Sequence, residues 1–144
     1  MLPAPAEVDA VNGSGQQGRP ETGDTITFTY AGVVNPDLIL SGWDGSATAV
    51  AVRFDDNAND DVLTVRNASN GSILTGLGQI QLNGDYCGGT TLFTGSQMTL
   101  SGSTVTVVLG TASGTPSRDP SAKGMVWSTL QGSATESGHP DSNF

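Results

Sequence analysis

An all-β fold, an antiparallel sandwich of about seven to nine strands, is the class this sequence predicts, and three observations predict it. The stretch Gln97 to Gly110 spells out a β-hairpin: Met98 and Leu100 alternate with Thr99 and Ser101, a Gly102-Ser103 turn follows, and Val105, Val107 and Leu109 alternate with Thr104, Thr106 and Val108. Comparable short alternating segments recur along the chain, separated by Gly, Asn, Pro and Ser. No segment sustains a helical period beyond a turn. With 144 residues the chain is long enough to close one core without disulfides or metals, so residues 1–144 form a single domain.

Taken in order, Val8 to Val11 reads as an edge strand, with Val8 and Ala10 opposed to Asp9 and Val11, before a loop through Pro20. Asp24 to Tyr30 is the clearest strand. Ile26, Phe28 and Tyr30 share one face and Thr25, Thr27 and Thr29 the other, all residue types that suit a pleated surface. Asn35-Pro36-Asp37 offers an N-cap, a proline at the first helical position and an acid in the first turn, which predicts one short helical turn ending at Ser41-Gly42.

Ala47 to Phe54 places Val50, Val52 and Phe54 on one face, and Val62 to Val65 is its expected hairpin partner. Leu77 to Leu82 is a further strand region closed by the turn pair Asn83-Gly84. Tyr86 to Phe93 leads into the hairpin, and Met125 to Ser128 is the last expected strand. The core predicted from these patterns is Ile26, Phe28, Val50, Val52, Leu63, Val65, Met98, Leu100, Val105 and Val107. Thr111 to Lys123 reads as a long loop and Gln131 to Phe144 as a polar tail, since neither carries enough apolar surface to fold alone.

Composition excludes several function classes. A net charge of −9, with only five Lys and Arg residues scattered along the chain, argues against nucleic acid, whose phosphates demand clustered cations. The same sign disfavours anionic membrane surfaces, and no apolar run approaches the roughly 20 residues that span a bilayer. A single Cys, Cys87, cannot form an internal disulfide and reads as a small hydrophobe in the sheet. The single His, His139, lies in the polar tail between Gly138 and Pro140, where nothing holds it against a nucleophile. The acids sit in turns and loops, not in paired positions on a cleft floor, so glycoside hydrolysis is not expected either. No catalytic residue and no cofactor is expected.

Two segments have the chemistry of binding sites. In Asp55-Asp56-Asn57-Ala58-Asn59-Asp60-Asp61, the residues Asp55, Asn57, Asn59 and Asp61 place oxygen donors at alternating positions, as a hard cation such as calcium requires. The match to a calcium loop stops there, because position six is Asp60 where Gly is needed and position twelve is Arg66 where a bidentate Glu is needed. A polar hairpin connection accounts for the same residues, and no bound metal is expected. In Gly42-Trp43-Asp44-Gly45, an exposed Trp43 beside Asp44 would form a platform for a sugar ring, whereas a buried Trp43 would cap the sheet end. Trp127 reads as a core residue. The sequons at Asn12, Asn67 and Asn70 mark surface turns.

The segments Glu21 to Tyr30, Ser41 to Thr48 and Asp60 to Val65 resemble Ig-like modules of actinobacterial surface-associated proteins. Ala6 to Tyr30 is also similar to the bacterial Ig-like domains of S-layer proteins. The ending, Thr135 to Gly138 and Asp141 to Phe144, resembles the C-terminal ends of the same actinobacterial group. The resemblance implies an Ig-like sandwich that decorates, spaces or adheres without a catalytic residue.

Met1 before Leu2, without a basic and apolar leader, reads as a product made in the cytoplasm, while the composition is that of an exterior display domain. A bacteriophage structural protein meets both conditions. The expectation is therefore a capsid decoration or tail-associated protein on the virion exterior, with Phe144 and the polar ends as candidates for docking onto a protein partner or a second copy. The alternatives are an adhesion or spacer domain of a secreted cell-surface protein, extracellular or in the cell wall, and a carbohydrate-binding module for a surface glycan.

Overall fold

A computed structural model describes residues 2–121, 124–129, 134–137 and 143–144, the third of these segments as backbone. Ten strands account for nearly all its regular structure: β1 (Pro5–Val11), β2 (Thr25–Tyr30), β3 (Thr48–Asp55), β4 (Val62–Arg66), β5 (Gln79–Gln81), β6 (Thr91–Ser101), β7 (Thr104–Val108), β8 (Thr111–Ser113), β9 (Met125–Ser128) and β10 (Ala134–Ser137). Among the described residues, helical structure is limited to a 3-10 turn at Pro36–Leu38. Asn35 caps it by accepting the Asp37 N–H, as the sequence pattern predicts.

The class is all-β and antiparallel. One sheet runs β1-β2-β7-β6-β3-β4-β5-β9-β10, with β8 added on β6. Side-chain alternation sets its register: Ala10, Ile26, Val107 and Met98 lie opposite one another in one row, and Val8, Phe28, Val105 and Leu100 in the next. A third row joins Phe54, Leu63, Ile80 and Trp127. A one-residue slip would turn each apolar row outward, so burial itself holds the register.

The sheet curls over on itself until it is nearly a barrel. Trp127 of β9 meets Phe28 and Tyr30 of β2 edge to face, at centroid distances of 5.2 and 5.0 Å, although the two strands stand far apart in the strand order. β1 packs against β9 and β10, and Val11 forms an isolated parallel bridge with Asn143. The core thus lies inside one curled sheet. Of the ten predicted core residues nine are fully enclosed, and Leu100 packs partly buried against them.

Three segments differ from expectation. Asn83-Gly84 makes a turn, with Asn83 at φ 52°, but no hairpin follows. Both edges of β5 are already taken by β4 and β9, so the chain crosses instead, and Tyr86 to Gly88 lies against Thr115 to Ser117. Within the expected loop 111–123, Thr111–Ser113 is a strand. β7 covers only part of the eleven-residue β6, and β8 satisfies the backbone of Leu92 to Thr94 that β7 leaves. The expected tail also enters the fold: Ala134–Ser137 pairs with β9, and Asn143 and Phe144 are buried.

Candidate functional site

The loop between β3 and β4 and the chain after β5 meet at an acidic corner, and Asp61 is its centre. Asp61 is fully buried. Its Oδ1 accepts the Asn57 N–H at 2.8 Å, and its Oδ2 accepts the N–H groups of Tyr86 at 2.7 Å and Cys87 at 3.0 Å. The Cys87 thiol lies 3.5 Å from the same oxygen. The backbone of Asp61 adds two bonds, from its N–H to the Gly84 carbonyl and from the Leu82 N–H to its own carbonyl. Neighbouring acids work in the same way. Asp60 Oδ1 accepts the Asn83 N–H at 3.0 Å and Asp119 Oδ2 the Asp85 N–H at 3.1 Å.

Asp56, Asp61 and Asp85 each bring a carboxylate oxygen within 4.8 Å of the others. Desolvation and the charges of Asp61, Asp56 and Asp119 push the Asp85 carboxyl above its ordinary pKa of 3.8. Burial, reinforced by Asp61, pushes the Cys87 thiol up to about 12. That thiol stays protonated and unreactive at neutral pH. Chemically, the Asp61 side chain is a shared acceptor for amide donors that fastens two loops together.

Of the four residues weighed as candidate calcium ligands, only Asp61 joins this cluster. Asp55 instead pairs with Arg53 at 2.9 Å. Asn57 spends its N–H on Asp61 and its side-chain amide on the Asp60 carbonyl, and Asn59 is exposed in the turn. Asp56 and Asp85 replace the missing members. Asp56 sits inside the acidic run, but Asp85 lies in a different loop, and no spacing rule connects it to Asp61.

The second candidate, Trp43 with Asp44, lines a pocket of about 300 Å³ between Leu40 and Thr48. Trp43 is only 7% exposed, and its indole N–H donates to the Ser46 carbonyl at 2.7 Å. It is therefore a wall of the loop and offers no open ring face for stacking. Asp44 Oδ1 accepts both the Ser46 hydroxyl at 2.6 Å and the Ser46 N–H at 3.0 Å, which holds its carboxyl below the usual range.

Phe144, the candidate for docking onto a partner, is fully buried inside its own chain. Its ring packs edge to face on Phe54 and Tyr86, with centroids 5.5 and 5.1 Å away. Next to it, the Asn143 side chain accepts the Tyr86 hydroxyl at 2.8 Å and donates to the carbonyls of Asp119 and Ser121 at 2.9 and 2.7 Å. His139 lies outside the described residues. No helix among the described residues is long and apolar enough to cross a membrane. No family model matches the chain, and no curated protein or solved structure matches it.

Proposed function

We propose that the chain is a non-enzymatic structural module for display on an exterior surface, in the first instance a decoration or tail-associated protein of a virion. The observation that supports this reading is how the polar groups are used. Asp61 and Asp24 turn their carboxylates onto backbone amides of loops, Tyr86 donates its hydroxyl to Asn143, and the Cys87 thiol is enclosed. Groups spent on holding loops rigid are withdrawn from proton transfer and nucleophilic attack, and rigid loops on a closed core suit presentation. Weak contacts repeated over a symmetric lattice would then supply avidity.

The test is co-sedimentation of the purified chain with phage particles across a salt series, together with the neighbours of its gene. Saturable association, beside genes for capsid and tail proteins, is expected. Absence of binding at every salt concentration sinks the virion reading and leaves the cell-surface adhesion or spacer module.

A carbohydrate-binding reading has one specific observation in its favour, the polar pocket beside Asp44. Because Trp43 is enclosed, a sugar there would be held by its hydroxyls donating to the Asp44 carboxylate and bonding with the Ser41 and Ser46 hydroxyls, without ring stacking. A glycan array with wild type and Asp44→Ala tests it: a hit lost in the variant supports the reading, and a blank array removes it.

A further inference from the structure

Three Asn-Gly pairs occur in the chain: Asn12-Gly13, Asn70-Gly71 and Asn83-Gly84. Such a pair is chemically fragile, because glycine has no side chain to shield its amide nitrogen from the electrophilic Cγ of the preceding asparagine. Attack requires the peptide plane between the two residues to rotate out of its resting position. A hydrogen bond to that plane opposes the rotation, so the fold decides which pair reacts.

Two of the pairs are pinned. The Gly13 N–H donates to Oδ1 of the fully buried Asp24 at 2.8 Å, and the Gly71 N–H donates to Asn67 Oδ1 at 2.8 Å. The third pair is not. Among the described residues nothing accepts the Gly84 N–H and nothing donates to the Asn83 carbonyl. Gly84 is buried, where an amide without an acceptor is rare. The groups on either side are held, the Asn83 N–H by Asp60 Oδ1 at 3.0 Å and the Gly84 carbonyl by the Asp61 N–H at 3.1 Å. An unbonded peptide plane thus sits between two anchors. Asn83 and Asn70 share the left-handed backbone, at φ 52° and 59°, so hydrogen bonding and not strain sets them apart. The exposed Asn83 side chain donates its amide to the Gly124 carbonyl.

We propose that Asn83-Gly84 is a self-modification site at which the chain deamidates, with water as the co-reactant. The Gly84 nitrogen bonds to Asn83 Cγ, the Cγ–Nδ2 bond breaks, and ammonia leaves with the Gly84 amide proton, closing a succinimide. Water then opens the ring. Addition at Cγ gives aspartate, and addition at the Asn83 main-chain carbonyl carbon gives isoaspartate, with the backbone rerouted through Cγ. Either product puts a carboxylate where an amide donated to Gly124, and so adds negative charge beside the Asp60 carboxylate that holds the Asn83 N–H. The inference stands independently of the virion and glycan readings.

The full-length chain is held folded at mildly alkaline pH and body temperature, and the three sites are followed by peptide mapping with aspartate and isoaspartate separated. One hydrogen bond that must break before attack slows it by about fivefold to tenfold, so Asn83 should convert at least that much faster than Asn12 and Asn70. In urea the three rates should converge. Asn67→Ala, which frees the Gly71 N–H in an exposed turn, should bring Asn70 up toward the rate of Asn83. Equal rates in the folded chain, a lead for Asn12 or Asn70, or a lead for Asn83 that persists unchanged in urea overturns the proposal.

Discussion

Asp61 shows how a single carboxylate can substitute for a packed loop. It is the acceptor for three backbone N–H groups from two segments, and its removal leaves buried donors without partners. Each orphaned donor costs about 1–3 kcal/mol, so Asp61→Ala should lose roughly 3 kcal/mol or more in urea or thermal unfolding. Since amide donors already engage both its oxygens, EDTA should leave the melting temperature of the wild type unchanged. A drop reversed by added calcium would make Asp56, Asp61 and Asp85 a metal centre after all.

Asp85 behaves oppositely. A carboxyl whose folded pKa lies above its unfolded value favours the folded state most when protonated, and that contribution is lost as pH rises through the folded pKa. The ionised Asp85 is therefore unfavourable at neutral pH. Asp85→Asn should raise Tm there by about 1–2 °C, the scale of an exposed position, and the gain should vanish below the ordinary pKa of 3.8. An equal gain at both pH values would show that charge is not the cause.

Among the elements, β6 carries the most consequence, because it pairs with β3 on one side and with both β7 and β8 on the other. A kink separates the two halves of that second edge, with Gly95 at φ 65° and Ser96 buried beside it. The Ser96 hydroxyl donates to the Phe93 carbonyl at 2.9 Å and accepts the Gly110 N–H at 3.0 Å, which ties the kink to the β7–β8 junction. Ser96→Ala should cost about 1–3 kcal/mol. Hydrogen exchange should accelerate more in β8 than in β7, whose ladder to β2 is independent of the kink. Uniform acceleration would show that Ser96 serves the whole sheet. The β6–β7 hairpin was readable from alternation and its Gly-Ser turn, whereas β8, three exposed residues without alternation, had no local signal.

For the whole molecule, the surplus of acidic charge is the dominant surface property. With a net charge of −9 the folded chain repels itself, and the acidic corner concentrates that repulsion. Raising sodium chloride from about 10 mM to about 150 mM shortens the screening length from about 30 to 8 Å, and Tm should rise by a few degrees. A fall in Tm with salt would mean that attractive pairs such as Arg53–Asp55 outweigh the repulsion, contrary to the small worth of exposed pairs.

The strands with strong alternation, their buried faces and the capped turn at Pro36 are legible in the sequence, because a two-residue period and a cap are local properties of the chain. The burial of Cys87 and the turn in the acidic run are legible too, although Cys87 lies outside the named strands and makes only an isolated bridge to Pro116. Long-range packing brings the curl of the sheet that carries Trp127 to Phe28, the meeting of Asp85 with Asp56 and Asp61, and the enclosure of Phe144 between Phe54 and Tyr86. None of these has a periodic or spacing signature. Each depends on which sheet edges remain unpaired after the local hairpins form, and on which buried polar and apolar groups still need partners once they have.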